Sequence, residues 1–163
     1  MKAFARSLGI AAGALCAVAS AHAGASRIGN AYYEDFFASQ DCSAHSACNV
    51  VSAATPSDAY LRIRHFYCRI QVSPTAPLID ELTLDVYNGQ PGTTGATLIK
   101  SVPLNVSPPV ADTAAGRNWY HIEHEILLAT GPNRYISITA FLTQAASTLV
   151  MTCGITGDMI PPP

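Results

Sequence analysis

Hydrophobic and polar residues alternate most clearly from Tyr60 to Ser73 (YLRIRHFYCRIQVS), which is typical of a β-strand with one buried face. The apolar positions change parity near Arg64-His65, since Leu61 and Ile63 precede a second set running from Phe66 to Val72. One extra residue in a strand turns every later side chain to the opposite face. The slip therefore predicts a β-bulge at Arg64-His65 that keeps both apolar sets on the core side.

Further segments show the same two-residue period, with turn residues between them. Pro103 indicates an edge strand or a bulge. The loop from Asn88 to Gly95, with three glycines and a proline, and the turn at Gly131-Pro132-Asn133 supply residues suited to chain reversal. Many short strands with almost no helix predict an all-β, antiparallel β-sandwich. The predicted strands are Tyr60 to Ser73, Leu82 to Val86, Thr97 to Val106, Trp119 to Leu128, Arg134 to Leu142 and Thr148 to Cys153.

One segment favours a helix. In Tyr32-Tyr33-Glu34-Asp35-Phe36-Phe37 the aromatic residues stand four apart twice. Residues four apart are neighbours on a helical surface, so Tyr32 would stack over Phe36 and Tyr33 over Phe37. The sequence predicts a helical turn there.

The first 23 residues have the features of a cleaved signal peptide. Lys2 and Arg6 precede a short apolar run, and Ala21-His22-Ala23 places small residues at the two positions that a signal peptidase recognises. The apolar run is too short for a membrane anchor, and no transmembrane anchor is predicted elsewhere. Cys16 follows Leu15, a bulky residue where lipidation requires a small one. We expect residues 24–163 to form a single β-sandwich domain, secreted or periplasmic.

Four cysteines follow the predicted cleavage site, an even number that indicates two disulfides in an exported chain. Cys42 and Cys48 enclose five residues, so we expect them to pair with each other. Cys68 and Cys153 would then form the second bridge. Zinc binding by Cys42, His45 and Cys48 is the weaker interpretation, because the spacing is not that of a zinc knuckle and no second pair follows.

Charge argues against nucleic acid as a partner. With the predicted signal removed, seven basic residues stand against eleven acidic ones, a net charge of −4. A phosphate backbone requires clustered Lys and Arg. Arg62, Arg64 and Arg69 are close in sequence, but the simple alternation places the first two on one strand face and Arg69 on the other. The sequence contains no phosphate-binding loop or dinucleotide motif, and we expect no cofactor.

The sharpest functional candidate is the polar strand from Trp119 to Leu128. The alternation directs Tyr120, Ile122, Ile126 and Leu128 to the core, with His124 among them. The opposite face would carry a tryptophan able to stack on a sugar ring, an imidazole and two carboxylates. These predicted ligand-binding residues are Trp119, His121, Glu123 and Glu125. They also suit a metal or an acid/base pair, and the plainest alternative is a solvated sheet face.

Part of the chain, from Ile79 to Phe141, resembles the jelly-roll domains of exported bacterial proteins. The features that carry the resemblance are Tyr87, Pro91-Gly92 with Gly95, Trp119-Tyr120, Gly131, and Tyr135-Ile136-Ser137-Ile138. The resemblance implies a fold and contains no catalytic motif. The functions of such domains include carbohydrate binding and cell-surface attachment.

The sequence therefore favours an exported, non-catalytic binding module for a glycan or a protein at the cell envelope or outside the cell. We identify no catalytic residue and no metal site. The first alternative is an exported hydrolase or metal-dependent enzyme that uses the Trp119, His121, Glu123 and Glu125 face. The second is an exported inhibitor that acts through the Cys42–Cys48 loop, which presents His45.

Overall fold

The computed structural model describes residues 23–29, 31–75 and 77–162. Except for Ala23, the predicted signal peptide lies outside these residues. No helix in the described part of the chain is long and apolar enough to cross a membrane. The strands are β1 (Ala23–Ile28), β2 (Tyr32–Asp41), β3 (Ala47–Val51), β4 (Tyr60–Ser73), β5 (Ile79–Tyr87), β6 (Leu98–Leu104), β7 (Val110–Asp112), β8 (Arg117–Thr130), β9 (Tyr135–Leu142) and β10 (Thr148–Ile160).

The strands form two antiparallel sheets. The six-stranded sheet has the order β1-β2-β10-β4-β8-β7, and the four-stranded sheet has the order β3-β9-β5-β6. From β2 to β5, and again from β8 to β10, each strand lies in the sheet opposite to its predecessor. Strands that cross between two facing sheets in this order give a jelly-roll-like sandwich. The predicted all-β, antiparallel β-sandwich fold is confirmed.

The core lies between the two sheets and is built from alternate residues of both. Each strand turns every second side chain inward, so the inner faces are apolar while the outer faces, turned away from the other sheet, are mixed. Burying one such aliphatic or aromatic side chain stabilises the fold by about 1.5–3 kcal/mol. The largest fully buried side chains are Tyr33, Phe37, Leu61, Ile63, Phe66, Ile70, Leu82, Leu84, Tyr120, Ile122, Ile136 and Ile138.

The predicted bulge in β4 is confirmed, and it extends across three strands. Phe66 pairs with Ile155 of β10 and with His124 of β8, while Ile63 pairs with Gly157 and Leu128. Between these two rows of paired residues, β10 has one residue, β4 has two and β8 has three. They are Thr156 in β10, Arg64 and His65 in β4, and Glu125, Ile126 and Leu127 in β8.

The bulge corrects the predicted placement of the arginines. Arg62 precedes the bulge, Arg64 is part of it, and Arg69 follows it. Because the bulge changes the parity of the strand, Arg69 lies on the same outer face as Arg62 and Arg64. The prediction that Arg69 projects from the other face is wrong. Arg62 and Arg64 both donate to Asp158, with Arg62 Nη2 at 3.0 Å from Asp158 Oδ2.

The predicted helical turn at residues 32–37 is also wrong, because this segment lies in β2. Tyr33, Asp35 and Phe37 point inward and are buried, while Tyr32 and Phe36 are exposed on the outer face. Asp35 is tolerated in the inward row because its carboxylate accepts a hydrogen bond from the Ala53 N–H at 2.9 Å and one from the Tyr33 hydroxyl. A carboxylate at an inward position breaks the apolar alternation by which a strand is recognised.

Both predicted disulfides, Cys42–Cys48 and Cys68–Cys153, are present. Cys68 and Cys153 are directly opposite each other on β4 and β10 and are buried in the core. The Cys42–Cys48 bridge closes the connection between β2 and β3.

The glycine-rich loop after β5 is a turn whose shape its residues explain. Asn88 closes it, since its N–H donates to the Thr97 carbonyl and its side-chain oxygen accepts from the Thr97 N–H at 2.7 Å. Gly92 and Gly95 adopt φ of 85° and 88°, a region that disfavours residues with a Cβ. Pro103 lies in β6, which forms one edge of the four-stranded sheet, as predicted.

Candidate functional site

The polar face of β8 lies where the sequence predicts it. Trp119 is partly exposed and His121, Glu123 and Glu125 are exposed, all on the outer face of the six-stranded sheet. On the inner side, Tyr120, Ile122 and Leu128 are buried and Ile126 is partly buried. His124, also partly buried, has its Nε2 2.8 Å from the Asn105 carbonyl and its ring 5.5 Å from that of Phe66.

Strand β4 supplies the side chains that face these residues. Gln71 is opposite Trp119, Arg69 is opposite His121, Tyr67 is opposite Glu123, and His65 is opposite Glu125. Cross-strand neighbours on one face have Cβ atoms about 4.5–5.5 Å apart, so the two rows form one continuous surface. We call this surface the β4–β8 face and define it by His65, Tyr67, Arg69, Trp119, His121, Glu123 and Glu125.

Sequence reasoning missed the β4 half of this face. The signal that reveals it was available, because the predicted bulge at Arg64-His65 moves every later residue of β4 by one parity. Counting through the bulge places Tyr67 and Arg69 on the outer side, next to the β8 residues already identified.

Two arginines lie against the Trp119 ring. The Arg69 guanidinium carbon is 4.3 Å from the centroid of the indole, and the Arg117 guanidinium carbon is 5.4 Å from it. Both distances are within the range of a cation–π interaction. Trp119 therefore does not present a bare aromatic platform, because part of its ring surface is already in contact with charged groups.

The two arginines differ in their charge partners. Arg117 Nε donates to Asp112 Oδ2 at 3.1 Å, and the pKa of the Asp112 carboxyl is lowered by the Ala115 N–H and by Arg117. Arg69, by contrast, forms no salt bridge with any of the residues that the structure describes. The Arg69 donors are held in place by the indole and remain available to a ligand.

Glu123 and His65 connect the two strands across the face. His65 Nε2 is 3.1 Å from Glu123 Oε1, and the Glu123 side chain is 73% exposed. A contact this exposed contributes little to stability, typically about 0–1 kcal/mol even between two charged groups. It links β4 and β8 across the outer face.

Tyr67 lies flat over a glycine of the neighbouring strand. A Cβ built on Gly154 would be 2.4 Å from the Tyr67 hydroxyl oxygen, so only glycine leaves room for this ring. Burial raises the pKa of Tyr67, and the negative charge of Glu34 raises it further. The Tyr67 hydroxyl therefore lies over β10, on the side of β4 away from β8.

Two pockets lie along the β4–β8 face. One, of about 180 Å³, is lined by Tyr67, Cys68, Arg69, His121, Ile122 and Glu123. The other, of about 520 Å³, is formed by the bulge and is lined by Arg64, His65, Glu125, Ile126 and Leu127. Pockets for small molecules commonly measure about 300–1,000 Å³, so the first suits part of a ligand, such as one edge of a sugar ring.

The Cys42–Cys48 loop is bound closely to the rest of the protein. The Cys42 and Ala44 N–H groups donate to the Leu149 and Ala146 carbonyls, and the Ala146 N–H donates to the His45 carbonyl. His45 is exposed. These hydrogen bonds, rather than the disulfide, anchor the loop to β10 and to the segment before it, while the proposed inhibitor role stays a prediction.

No group of three or more His, Cys, Asp or Glu side chains among the described residues is arranged to hold a metal ion. The sequence shows no match to a protein-family model or to a curated protein, and the fold shows no match to a solved structure.

Proposed function

We propose that the protein is an exported, non-catalytic binding module whose ligand is a glycan bound on the β4–β8 face. One observation carries the proposal. A guanidinium, an imidazole and a carboxylate line a small open pocket, and an indole in contact with the guanidinium lies beside it. Sugar hydroxyls both donate and accept hydrogen bonds, and this set contains donors and an acceptor beside aromatic surface.

Export is supported by the leader sequence and by the two disulfides. Disulfides persist in oxidising compartments such as the periplasm and the extracellular space. The resemblance to jelly-roll domains of exported bacterial proteins points in the same direction. We therefore place the ligand at the cell envelope or outside the cell.

Binding is favoured over catalysis by the exposure of the face. Electrostatic stabilisation of a transition state is strongest in a site from which water is excluded. Here Glu123 and Glu125 are exposed on an open sheet surface, so neither carboxylate has such a site. An exposed face with mixed polar and aromatic groups suits the recognition of an extended ligand.

The test is a glycan array probed with the exported, oxidised protein, with affinities then measured by isothermal titration calorimetry. The Trp119→Ala variant should lose binding while its circular dichroism spectrum is unchanged. Phe141→Ala is the matched control, because Phe141 is an exposed aromatic on the outer face of the other sheet. Binding that survives Trp119→Ala, or an array on which no glycan is retained, would contradict the proposal.

A further inference from the structure

The Arg69 guanidinium differs from the other arginines on the outer face of β4 and β8. Arg62 and Arg64 both contact Asp158, and Arg117 contacts Asp112. In the described part of the chain Arg69 has no carboxylate within salt-bridge distance. A guanidinium with no salt-bridge partner among the described residues thus lines the 180 Å³ pocket, together with Glu123.

The position of the Arg69 guanidinium is restricted before any ligand arrives. Its carbon contacts the Trp119 ring at 4.3 Å from the centroid, and the indole is carried by β8. A preorganised guanidinium loses less conformational entropy on binding, and its planar fork matches the two oxygens of a carboxylate. Trp119 acts here as a positioning residue for Arg69.

We propose that the glycan contains a carboxylate-bearing sugar, a uronic acid, and that Arg69 binds its carboxylate. This inference rests on the proposed function and names the class of glycan. The carboxylate lies at the Arg69 and Trp119 end of the face, and the hydroxyls of the same sugar point toward Glu123.

The orientation follows from the charges that line the pocket. Glu123 repels an anion but accepts hydrogen bonds from hydroxyls, and it lines the same pocket as Arg69. A uronic acid matches both the Arg69 end and the Glu123 end of the pocket, because its carboxylate and its ring hydroxyls lie on different sides of the sugar.

The same charges argue for recognition of one carboxylate rather than of a dense polyanion. The other arginines on the outer face of β4 and β8 form salt bridges: Arg62 and Arg64 with Asp158, and Arg117 with Asp112. Glu123 and Glu125 add negative charge to the face. A polyanion needs a continuous basic surface and binds with a steep salt dependence. For this protein we expect the affinity to depend only weakly on salt concentration, because about one ionic contact forms.

The experiment compares two probes with the same backbone, oligogalacturonates and their fully methyl-esterified forms, by isothermal titration calorimetry. The protein should bind the acid form at least about tenfold more tightly than the ester, the gain expected for one charge-assisted hydrogen-bonded pair. Arg69→Gln should lower binding of the acid form to the level of the ester and leave ester binding unchanged. Arg69→Lys, which keeps the charge, should retain part of the preference.

Arg27→Gln is the control, because Arg27 lies on β1 at the far edge of the same sheet, outside the binding face, and is engaged by Asp58. It should leave the preference for the acid form intact. Equal binding of acid and ester, or an array that retains neutral glycans alone in a Trp119-dependent way, overturns the uronic acid inference while the proposed function stands. Failure to retain any glycan overturns both.

Discussion

The α-carbon of Gly157 packs against the carbonyl group of Arg62, so that a Cβ built on Gly157 would lie 2.3 Å from the Arg62 oxygen. The contact arises at the bulge, where Gly157 pairs with Ile63 while Thr156 pairs with His65. Backbone atoms cannot rotate away as a side chain can. The bulge in β4 is therefore compatible only with glycine at this position of β10.

Gly157→Ala should destabilise the protein by at least about 2 kcal/mol, because the new methyl group must displace the β4 backbone. Urea unfolding followed by the fluorescence of Trp119, the single tryptophan, measures the change. Gly131→Ala is the control, since a Cβ there meets its nearest atom at an ordinary 3.6 Å. Equal effects of the two changes would show that the bulge tolerates a Cβ.

Removing the Cys68–Cys153 bridge should cost more stability than removing the Cys42–Cys48 bridge. The sequence separations are 85 and 6 residues, and in the chain-entropy model a longer loop restricts the unfolded state more. We expect losses of about 4.5 kcal/mol for Cys68→Ala/Cys153→Ala and about 2 kcal/mol for Cys42→Ala/Cys48→Ala. Urea titrations of both double variants under non-reducing conditions give the comparison, and a larger loss for the short loop would refute it.

Asp158 should make the protein less stable in acid. Hydrogen bonds from Arg64, and then from Arg62, lower the pKa of its carboxyl. A lowered pKa in the folded state contributes stability above the ordinary value of about 3.9, and this contribution disappears as the pH falls through the folded-state value. Thermal unfolding between pH 7 and pH 2 should show this loss.

In Asp158→Asn that part of the acid dependence should be absent, and the variant should be less stable than the wild type at pH 7. Asp80→Asn, which alters an exposed carboxylate outside the described salt bridges, should keep the wild-type profile. Parallel profiles for the wild type and Asp158→Asn would contradict the prediction.

Tyr33 should make the protein less stable in alkali. Burial raises the pKa of its hydroxyl, and the negative charge of Asp35 adds to the effect. The neutral phenol is favoured in the folded state, so its contribution is complete below the ordinary value of about 10 and declines as the pH rises above it. Urea unfolding at pH 8 to 12 should show this decline.

In Tyr33→Phe the stability should decline less steeply above pH 10. At pH 8 the variant should be about 1 kcal/mol less stable than the wild type, because it lacks the hydrogen bond to Asp35. Tyr60→Phe, which alters an exposed tyrosine, should follow the wild type. If Tyr33→Phe declines as steeply as the wild type above pH 10, another group governs the alkaline behaviour.

The sequence predicted the fold class, the Cys42–Cys48 disulfide and the polar face of β8 because each depends on local spacing. The Cys68–Cys153 disulfide followed by elimination, since these two cysteines were left over. Strand β2 was missed because the inward position of Asp35 interrupts its apolar row, and one partner of the carboxylate, the Ala53 N–H, is distant in sequence. The predicted end of β10 at Cys153 was too early, since Gly154 and Gly157 resemble strand breakers. Their need for glycine comes from Tyr67 and Arg62 on the neighbouring strand.

Only the β8 half of the candidate site could be predicted from the sequence, because the β4 half depends on contacts between residues distant in sequence. Residues two apart on β8 share a face by the period of a strand alone, so Trp119, His121, Glu123 and Glu125 could be grouped without knowing the fold. The pairing of Arg69 with His121 depends on the register of β4 against β8. Register is set by long-range packing, and no spacing within one strand contains it.

The position of β10 between β2 and β4 also constrains the order in which the strands of the larger sheet can assemble. Strands β2 and β4 are made early but become part of one sheet only when the last strand, ending at Ile160, enters between them. Cys48 can pair with Cys42 once the first fifty residues are free to fold, whereas Cys68 has no native partner until Cys153 is also free. A chain that folds from its N-terminus therefore completes its larger sheet last, with the facing edges of β2 and β4 open until then.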